Sequence, residues 1–422
     1  MNEPATTPRR AWLWVFAAYL FQSIPGAIRD DALPLALKDL GYKDGPITQM
    51  VAFLGLLVGF KILFSPFVAG FNPRRFILLS ELCIVCLLGL LSYLLGLDKI
   101  EAAPIIGCLI FLSLLAAAHD FALDGYFVSS LNDKTRATHS GILNFASKAG
   151  LALCGAGLVW LVAIIMDYGS QISEAWSLAL AAAAGLALLS LIACATGLVA
   201  EPENVSDNLT VKKRFLEMVS GFRTLLSDPR LLAVLILIFF YRASEVHMAK
   251  VIGLFAEGTT NGGLALSHKT YGILRVVTAI GGLAIGGAIG SFVVTELGLS
   301  RSLVPLGVLM HLPLIAFAWL AYEGTGNHWV IGTVFMVEHV AYGAGFCALI
   351  LAMMKLASGP GAAVRYAALS TFSLLANYLP GLWAGHLAER FGYAQYFLFA
   401  LSLAIPGILS AWMAKRHFED RA

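Results

Sequence analysis

The chain has 422 residues, 59% of them hydrophobic and only 13% charged, with a mean hydropathy of +0.80. Soluble domains carry roughly 45–50% apolar and about 25% charged residues, so a soluble globular protein and a disordered or fibrous chain are both excluded. Lys and Arg (28) against Asp and Glu (26) leave +2, which excludes a nucleic-acid binder working through bulk charge.

A helix needs about 20 apolar residues to cross the hydrocarbon core, and the chain holds twelve such runs. Six begin near Ala11, Pro46, Phe76, Pro104, Gly141 and Ala175, and six near Leu231, Lys269, Leu303, Trp329, Tyr366 and Tyr393. The runs are continuous rather than alternating, so a transmembrane β-barrel is excluded. Arg9-Arg10, Arg74-Arg75, Lys134, Arg136, Lys212-Lys213-Arg214, Arg301, Lys355, Arg365 and Lys415-Arg416 all fall in one set of connections. In the alternate set, 166–174, 257–267 and 323–328 hold neither Lys nor Arg, and Lys38, Lys43, Lys99 and Arg390 there each have an acidic neighbour. That bias predicts a multi-pass protein of the inner (cytoplasmic) membrane with both termini in the cytoplasm. No small-residue cleavage site follows the first run, which is therefore read as a permanent helix. All six cysteines lie inside the runs; Cys83-x-x-Cys86 has no partner pair and reads as packing, with no metal or redox site expected.

The longest polar connection, 201–230, divides the runs six and six. Within it Phe215, Met218, Val219, Phe222, Leu225 and Leu226 recur at helical spacing, as in an interfacial helix on the inner leaflet or a solvated linker. The stretch from Arg136 to Lys148 matches that from Arg365 to Asn377 in length and in its leading basic residue. Two six-helix halves related as parallel repeats make the major facilitator architecture. The expected organisation is an N-terminal bundle over 1–200, a cytoplasmic linker over 201–230 and a C-terminal bundle over 231–422. Gly282, Gly286 and Gly290 share small-x-x-x-small spacing, which predicts a close helix approach.

An ionisable side chain at mid-membrane costs at least about 2.5–3.5 kcal/mol and so faces protein or an aqueous cavity. Here such groups fall on every third span: Arg29, Asp30 and Asp31 on the first, Asp120 and Asp124 on the fourth, Arg242, Glu245, His247 and Lys250 on the seventh, Glu338 and His339 on the tenth. The fifth and eighth add Lys148 and Arg275; the sixth and twelfth have none in their interiors. In the major facilitator fold the first, fourth, seventh and tenth helices line the central cavity. At ~1.5 Å per residue, Asp124, Asp120 and Lys148 lie roughly 10, 16 and 14 Å from their cytoplasmic helix ends. Asp120 and Asp124, four apart, share a helix face. With Lys148 as counter-charge they form either a proton-coupling group or a static ion-pair network. Arg242 reads as an anchor for an anionic solute, with Arg275 as a second contact and Arg29, Asp31 and His339 completing the set. Glu245 and Glu338 read as solute contacts or coupling acids, or as partners that neutralise the arginines within the membrane. Lys61 and Glu81 read as a structural pair. No G-x-x-x-x-G-K-[ST] loop and no clustered His/Cys pattern is present, so neither an ATP-driven pump nor metal catalysis is expected, and no cofactor.

Several segments together resemble one branch of the major facilitator superfamily, that of the AmpG-type muropeptide permeases, acetyl-coenzyme A transporters and RhtX/FptX-type siderophore permeases. Lys61-Ile-Leu-Phe-Ser65-Pro66 resembles the branch's K-F-L-W-[SA]-P, His119-Asp120-Phe-Ala-Leu-Asp124-Gly125 its Q-D-I-x-x-D-[AG], and Tyr241-Arg242-Ala-Ser-Glu245 its Y-K-x-x-D. Where the branch has Asp-Arg soon after the second-span Pro, this chain has Ala69-Gly70 and places its basic pair at Arg74-Arg75. The resemblance implies a secondary transporter rather than an enzyme, taking up a medium-sized polar or anionic solute such as a muropeptide with protons, as a monomer in the lipid bilayer. Gln22-x-x-Pro25-Gly26 and Asp31-Ala-Leu-Pro34 look more like the siderophore permeases, which keeps a siderophore-type solute as the alternative. An intramembrane transferase and a non-transporting sensor are the rivals from other classes.

Overall fold

The computed structural model describes residues 8–59, 61, 72–97, 102–131, 133–198, 219–221, 223–358 and 362–418, and every regular element among them is helical. Ten helices are long and apolar enough to cross a bilayer: α1 (Ala11–Asp39), α3 (Pro73–Leu95), α4 (Ala102–Phe127), α5 (Phe145–Asp167), α6 (Ile172–Gly197), α7 (Leu231–Glu257), α8 (His268–Leu297), α9 (Leu299–Glu323), α10 (His328–Ala357) and α12 (Tyr393–Lys415). The shorter α2 (Asp44–Gly59) and the broken α11 (Ala362–Tyr378 and Gly381–Phe391) take the second and eleventh places of the twelve-helix order. Most of the expected interfacial helix over 211–226 lies outside the described residues. So do Ser65, Pro66, Ala69 and Gly70.

Among the described residues six helices are interrupted within the span, α12 among them at Leu403. Pro313 and Pro380 account for the breaks in α9 and α11, since a proline returns no amide to the preceding turn. In α1 the backbone loosens into a π-helical turn at Ile28–Ala32, closed by Leu33 N–H on the Ile28 carbonyl. Pro34 follows at once and has no amide for the Asp30 carbonyl. Single π turns of this kind mark functional positions in helices. In α5 the break falls at Gly155, and in α7 at Tyr241–Arg242.

Large apolar side chains face outward on α3 (Leu79, Tyr93), α6 (Leu189, Ile192), α9 (Ile315, Tyr322) and α12 (Leu398, Ile405). Such a continuous apolar exterior suits lipid rather than water.

The chain divides into two compact units, one of Met1–Leu40 with Leu57–Leu216, the other of Gly41–Leu56 with Glu217–Ala422. Packing thus groups the first turns of α2 with the later helices, whereas a cut at residue 200 puts them with the earlier ones. Glycine is the reason. At Gly385 of α11 a Cβ would stand 2.2 Å from the Asp44 carbonyl oxygen, so only glycine admits this approach. The contact is closed by Gly385 N–H on Thr48 Oγ1 (3.1 Å), Gly45 N–H on Glu389 Oε1 (2.8 Å) and the Tyr393 hydroxyl on Asp44.

In the first unit α1 is mostly buried, and Gly150 of α5 lies against the Leu20 carbonyl. In the second, the expected glycine stripe brings α8 against α10. A Cβ at Gly282 would meet the His339 Cβ at 2.5 Å, and at Gly286 and Gly290 the Val340 and Ala344 carbonyls at 2.2 and 2.5 Å. This seam sets the geometry of the charged residues that follow.

Candidate functional site

The first unit gathers its ionisable groups around α4. Lys61 Nζ donates to Asp120 Oδ2 at 2.8 Å, and the Tyr19 hydroxyl of α1 donates to Asp124 Oδ1 at 3.0 Å. Asp124, in the last turn of α4, is solvent-accessible, and Asp120 one turn earlier is half-buried. The two carboxylates repel one another, while Lys61 attracts both. One turn apart on one face, they behave as a single electrostatic group. Behind them His119 and Glu81 lie fully buried, with His119 Nε2 3.4 Å from Glu81 Oε1 and the ring against Phe21. The expected pairing of Lys61 with Glu81 is therefore corrected. Lys61 follows the end of α2 and its long stem reaches Asp120, which leaves Glu81 to the imidazole on α4. Lys148 sits half-buried on α5.

At the π turn of α1, Arg29 is buried and forks onto its neighbour Asp30 (Nε–Oδ1 2.8 Å, Nη2–Oδ2 3.0 Å). Asp31 packs on the break in α5: a Cβ at Gly155 would lie 2.6 Å from its Oδ2.

The second unit builds its cluster on α7, α8 and α10. Arg242, Glu245, Glu338 and His339 are all buried. Arg242 Nε donates to Glu245 Oε2 at 2.9 Å, and its guanidinium lies over the rings of Tyr342 (5.1 Å) and Phe346 (4.6 Å). Arg275 Nη1 donates to His339 Nε2 at 2.9 Å, while His339 Nδ1 meets the Phe335 carbonyl at 2.7 Å. That pair of contacts assigns His339 the neutral Nδ1–H tautomer. Glu338 Oε2 lies 3.1 Å from His339 Nδ1, whose proton goes to the Phe335 carbonyl, and 3.6 Å from Arg275 Nη1, and makes no hydrogen bond. A buried carboxylate oxygen with no donor is costly, so Glu338 is set to take a proton or a ligand donor.

Each unit thus brings its own predicted residues together: Asp120 with Asp124 in the first, and Arg242 with Glu245 and Arg275 with Glu338 and His339 in the second. Lys61, Tyr19, Tyr342 and Phe346 belong to these clusters without having been singled out as site residues. Tyr342 and Phe346 stand four and eight residues after Glu338, so helical periodicity alone puts them on its face. Tyr19, one aromatic in an apolar run, carries no such signal.

A buried acid–base cluster within an all-helical membrane protein points to solute or ion movement. No protein-family model matches the chain. Among curated proteins, the transporter candidate AmpG 4 of Rickettsia conorii is 23% identical over 406 residues, covering 93% of this chain and 94% of that protein. The anhydromuropeptide permease of Escherichia coli K12 is 21% identical over 378 residues, covering 87% of this chain and 72% of that protein. Among solved structures, a POT family transporter in complex with a thioalcohol-conjugated peptide superposes with a TM-score of 0.73 at 14% identity, over 97% of both chains. The D-xylose–proton symporter gives 0.72 at 12% identity, over 96% of this chain and 97% of that one. The chain has the major facilitator fold. With curated relatives named as permeases and transporters along nearly its whole length, the transporter is AmpG-like, a secondary transporter rather than an enzyme, and sits as a multi-pass protein in the inner membrane.

Proposed function

We propose that the transporter takes up a muropeptide-type solute into the cytoplasm together with protons, as a monomer with both termini in the cytoplasm. The observation that supports this most is the anhydromuropeptide permease relative, which aligns over 87% of the chain. The charge clusters divide the work. Asp120 and Asp124, with Lys61 and Lys148 as counter-charges, load and release the proton. Arg242, Glu245, Arg275, Glu338 and His339 meet the solute in the second unit, and Arg29 and Asp31 of the α1 π turn are the solute contacts assigned to the first. Two halves over 1–200 and 231–422, joined by a linker over 201–230, rearrange so that the solute meets one side of the membrane at a time, as in other transporters built from repeats.

The test is uptake of radiolabelled anhydromuropeptide by proteoliposomes under an imposed pH gradient. Accumulation that collapses with the gradient is expected, and Asp120→Asn and Asp124→Asn should each abolish it while the protein stays monodisperse. Uptake indifferent to the gradient rejects proton coupling, and uptake unchanged in both variants rejects the assignment of these carboxylates. A ferric siderophore taken up in place of the muropeptide would instead favour the reading carried by the Gln22-x-x-Pro25-Gly26 and Asp31-Ala-Leu-Pro34 segments.

A further inference from the structure

We propose that the break in α7 is a carboxylate-binding cradle with the Arg242 guanidinium as its fork. The inference deepens the transport reading by naming the chemical group the solute presents, and it rests on that reading only for its physiological setting.

The backbone supplies the first half of the cradle. Helix α7 stops at Phe240 and restarts at Ala243, with Arg242 at the N-cap (φ −108°, ψ 5°) and no side chain capping the new start. Arg242 is eleven residues past Leu231, about 17 Å into the span at ~1.5 Å per residue. The restarted helix runs fifteen residues, Ala243–Glu257, and its first return bond is Val246 N–H on the Arg242 carbonyl at 2.8 Å. The amides of its first turn therefore have no carbonyl within the helix, and the positive end of the dipole lies inside the membrane. Broken transmembrane helices use such ends to hold anionic groups.

The side chains supply the second half. Arg242 is only 9% exposed, its Nε is taken by Glu245, and its flat face rests on two rings that are themselves stacked at 5.4 Å and 13°. Held by one acid and two rings, the guanidinium keeps both Nη groups without a partner among the described residues. The hydroxyl of Ser244, two residues on, is completely buried and likewise has no partner. A pinned, desolvated fork with its terminal edge free fits a planar carboxylate by paired charge-assisted hydrogen bonds. Charge chooses carboxylate over phosphate: Arg242, Arg275 and Lys250, whose charge reaches Glu245, exceed Glu245 and Glu338 by one, and His339 is neutral. A monoanion fits one free fork, whereas a phosphate dianion would face two carboxylates. The stacked Tyr342 and Phe346 offer an apolar floor beside the fork for whatever carries the acid.

That acid has two possible sources in a muropeptide, the sugar acid and the peptide. The full-length transporter in detergent is titrated calorimetrically with N-acetylmuramic acid, N-acetylglucosamine (the same type of ring without the acid), L-alanyl-D-glutamate and inorganic phosphate. One of the two carboxylates should bind at least roughly tenfold more tightly than the neutral sugar and phosphate, and Arg242→Lys should weaken it by roughly tenfold or more. The acid that binds identifies the source. Arg242→Gln/Glu245→Gln, which removes both charges and leaves no lone buried ion, should lose the same preference while remaining monodisperse. Equal binding of acid and neutral sugar, preference for phosphate, no binding of either acid, or wild-type affinity in both variants would overturn the cradle. Acid binding as expected but no anhydromuropeptide uptake would overturn the proposed solute and leave the cradle standing.

Discussion

In the first unit, each of the two α4 carboxylates is met by a donor from a distant part of the chain, Lys61 for Asp120 and Tyr19 for Asp124. In the second, Arg242 and Glu245 pair within one turn of α7, and Arg275 hydrogen-bonds a neutral imidazole with Glu338 beside it. Long-range pairs tie helices together and change when helices move, which suits residues that gain and lose a proton. A local pair holds an arginine in place and leaves its outer edge open, which suits a residue that waits for a ligand. Geometry rather than charge count separates the two clusters.

The strongest way to break this contrast is through the seam that positions Arg275. Gly286→Leu would force a side chain into the Val340 carbonyl, 2.2 Å from where its Cβ must sit. A backbone cannot yield as a flexible side chain does, so the cost exceeds the usual ~1–3 kcal/mol of overpacking. The expected result is loss of a monodisperse peak in size-exclusion chromatography. A well-folded variant with wild-type uptake would show that the α8–α10 seam does not set the site.

Next in size is the pair across the first unit. Asp120→Leu leaves the Lys61 ammonium stranded, and removing one partner of a buried pair costs roughly 3–5 kcal/mol; with side chains 15% and 19% accessible, the lower end applies. Lys61→Met/Asp120→Leu removes both charges and should recover most of the melting temperature while uptake remains abolished. Recovered uptake in the double variant would reduce the pair to a structural tie.

Arg275→Lys probes the second unit more gently. Lysine keeps the charge but offers a point donor in place of a fork, so it serves His339 or Glu338 less well. A KM raised about tenfold with kcat nearly unchanged is expected, against a fall in kcat for the first-unit carboxylates. A fall in kcat alone for Arg275→Lys would move Arg275 to the coupling group and erase the contrast.

How far the sequence leads can be traced residue by residue. The apolar runs locate the helices because crossing hydrocarbon demands length and hydropathy together, and Gly282, Gly286 and Gly290 foretell the α8–α10 seam because their spacing is that of one helix face. The breaks at Pro313 and Pro380 are written in the chain. The break at Tyr241–Arg242 is not, since neither residue disfavours helix and the interruption comes from packing. The Lys61–Asp120 pair is equally hidden: 59 residues separate the partners, and which acid the lysine meets depends on where α2 stops. The grouping of Gly41–Leu56 with the later helices rests on backbone approach at Gly385, and a lone glycine does not announce its neighbour.

The smallest effect is outside the membrane, where the contrast predicts that a charge pair should matter little. Just before α7, Asp228 accepts from Arg230 three times: backbone N–H at 2.9 Å, Nε at 3.0 Å and Nη2 at 2.9 Å. The Arg230 side-chain bonds hold the Asp228 carboxyl below the usual range, against the opposing effect of its partial burial. A carboxyl lowered by folding adds stability above its unfolded value of about 3.9, and loses it as pH falls through the folded value. Asp228→Asn should therefore lower stability near neutral pH, by about 0.2–1 kcal/mol because water screens a pair whose arginine is one-third accessible. In acid, below the folded value, wild type and variant should melt together. A difference that persists there would assign the loss to backbone capping through the Arg230 amide. An effect at neutral pH as large as that of Asp120→Leu would show that burial does not distinguish the intramembrane pairs from this one.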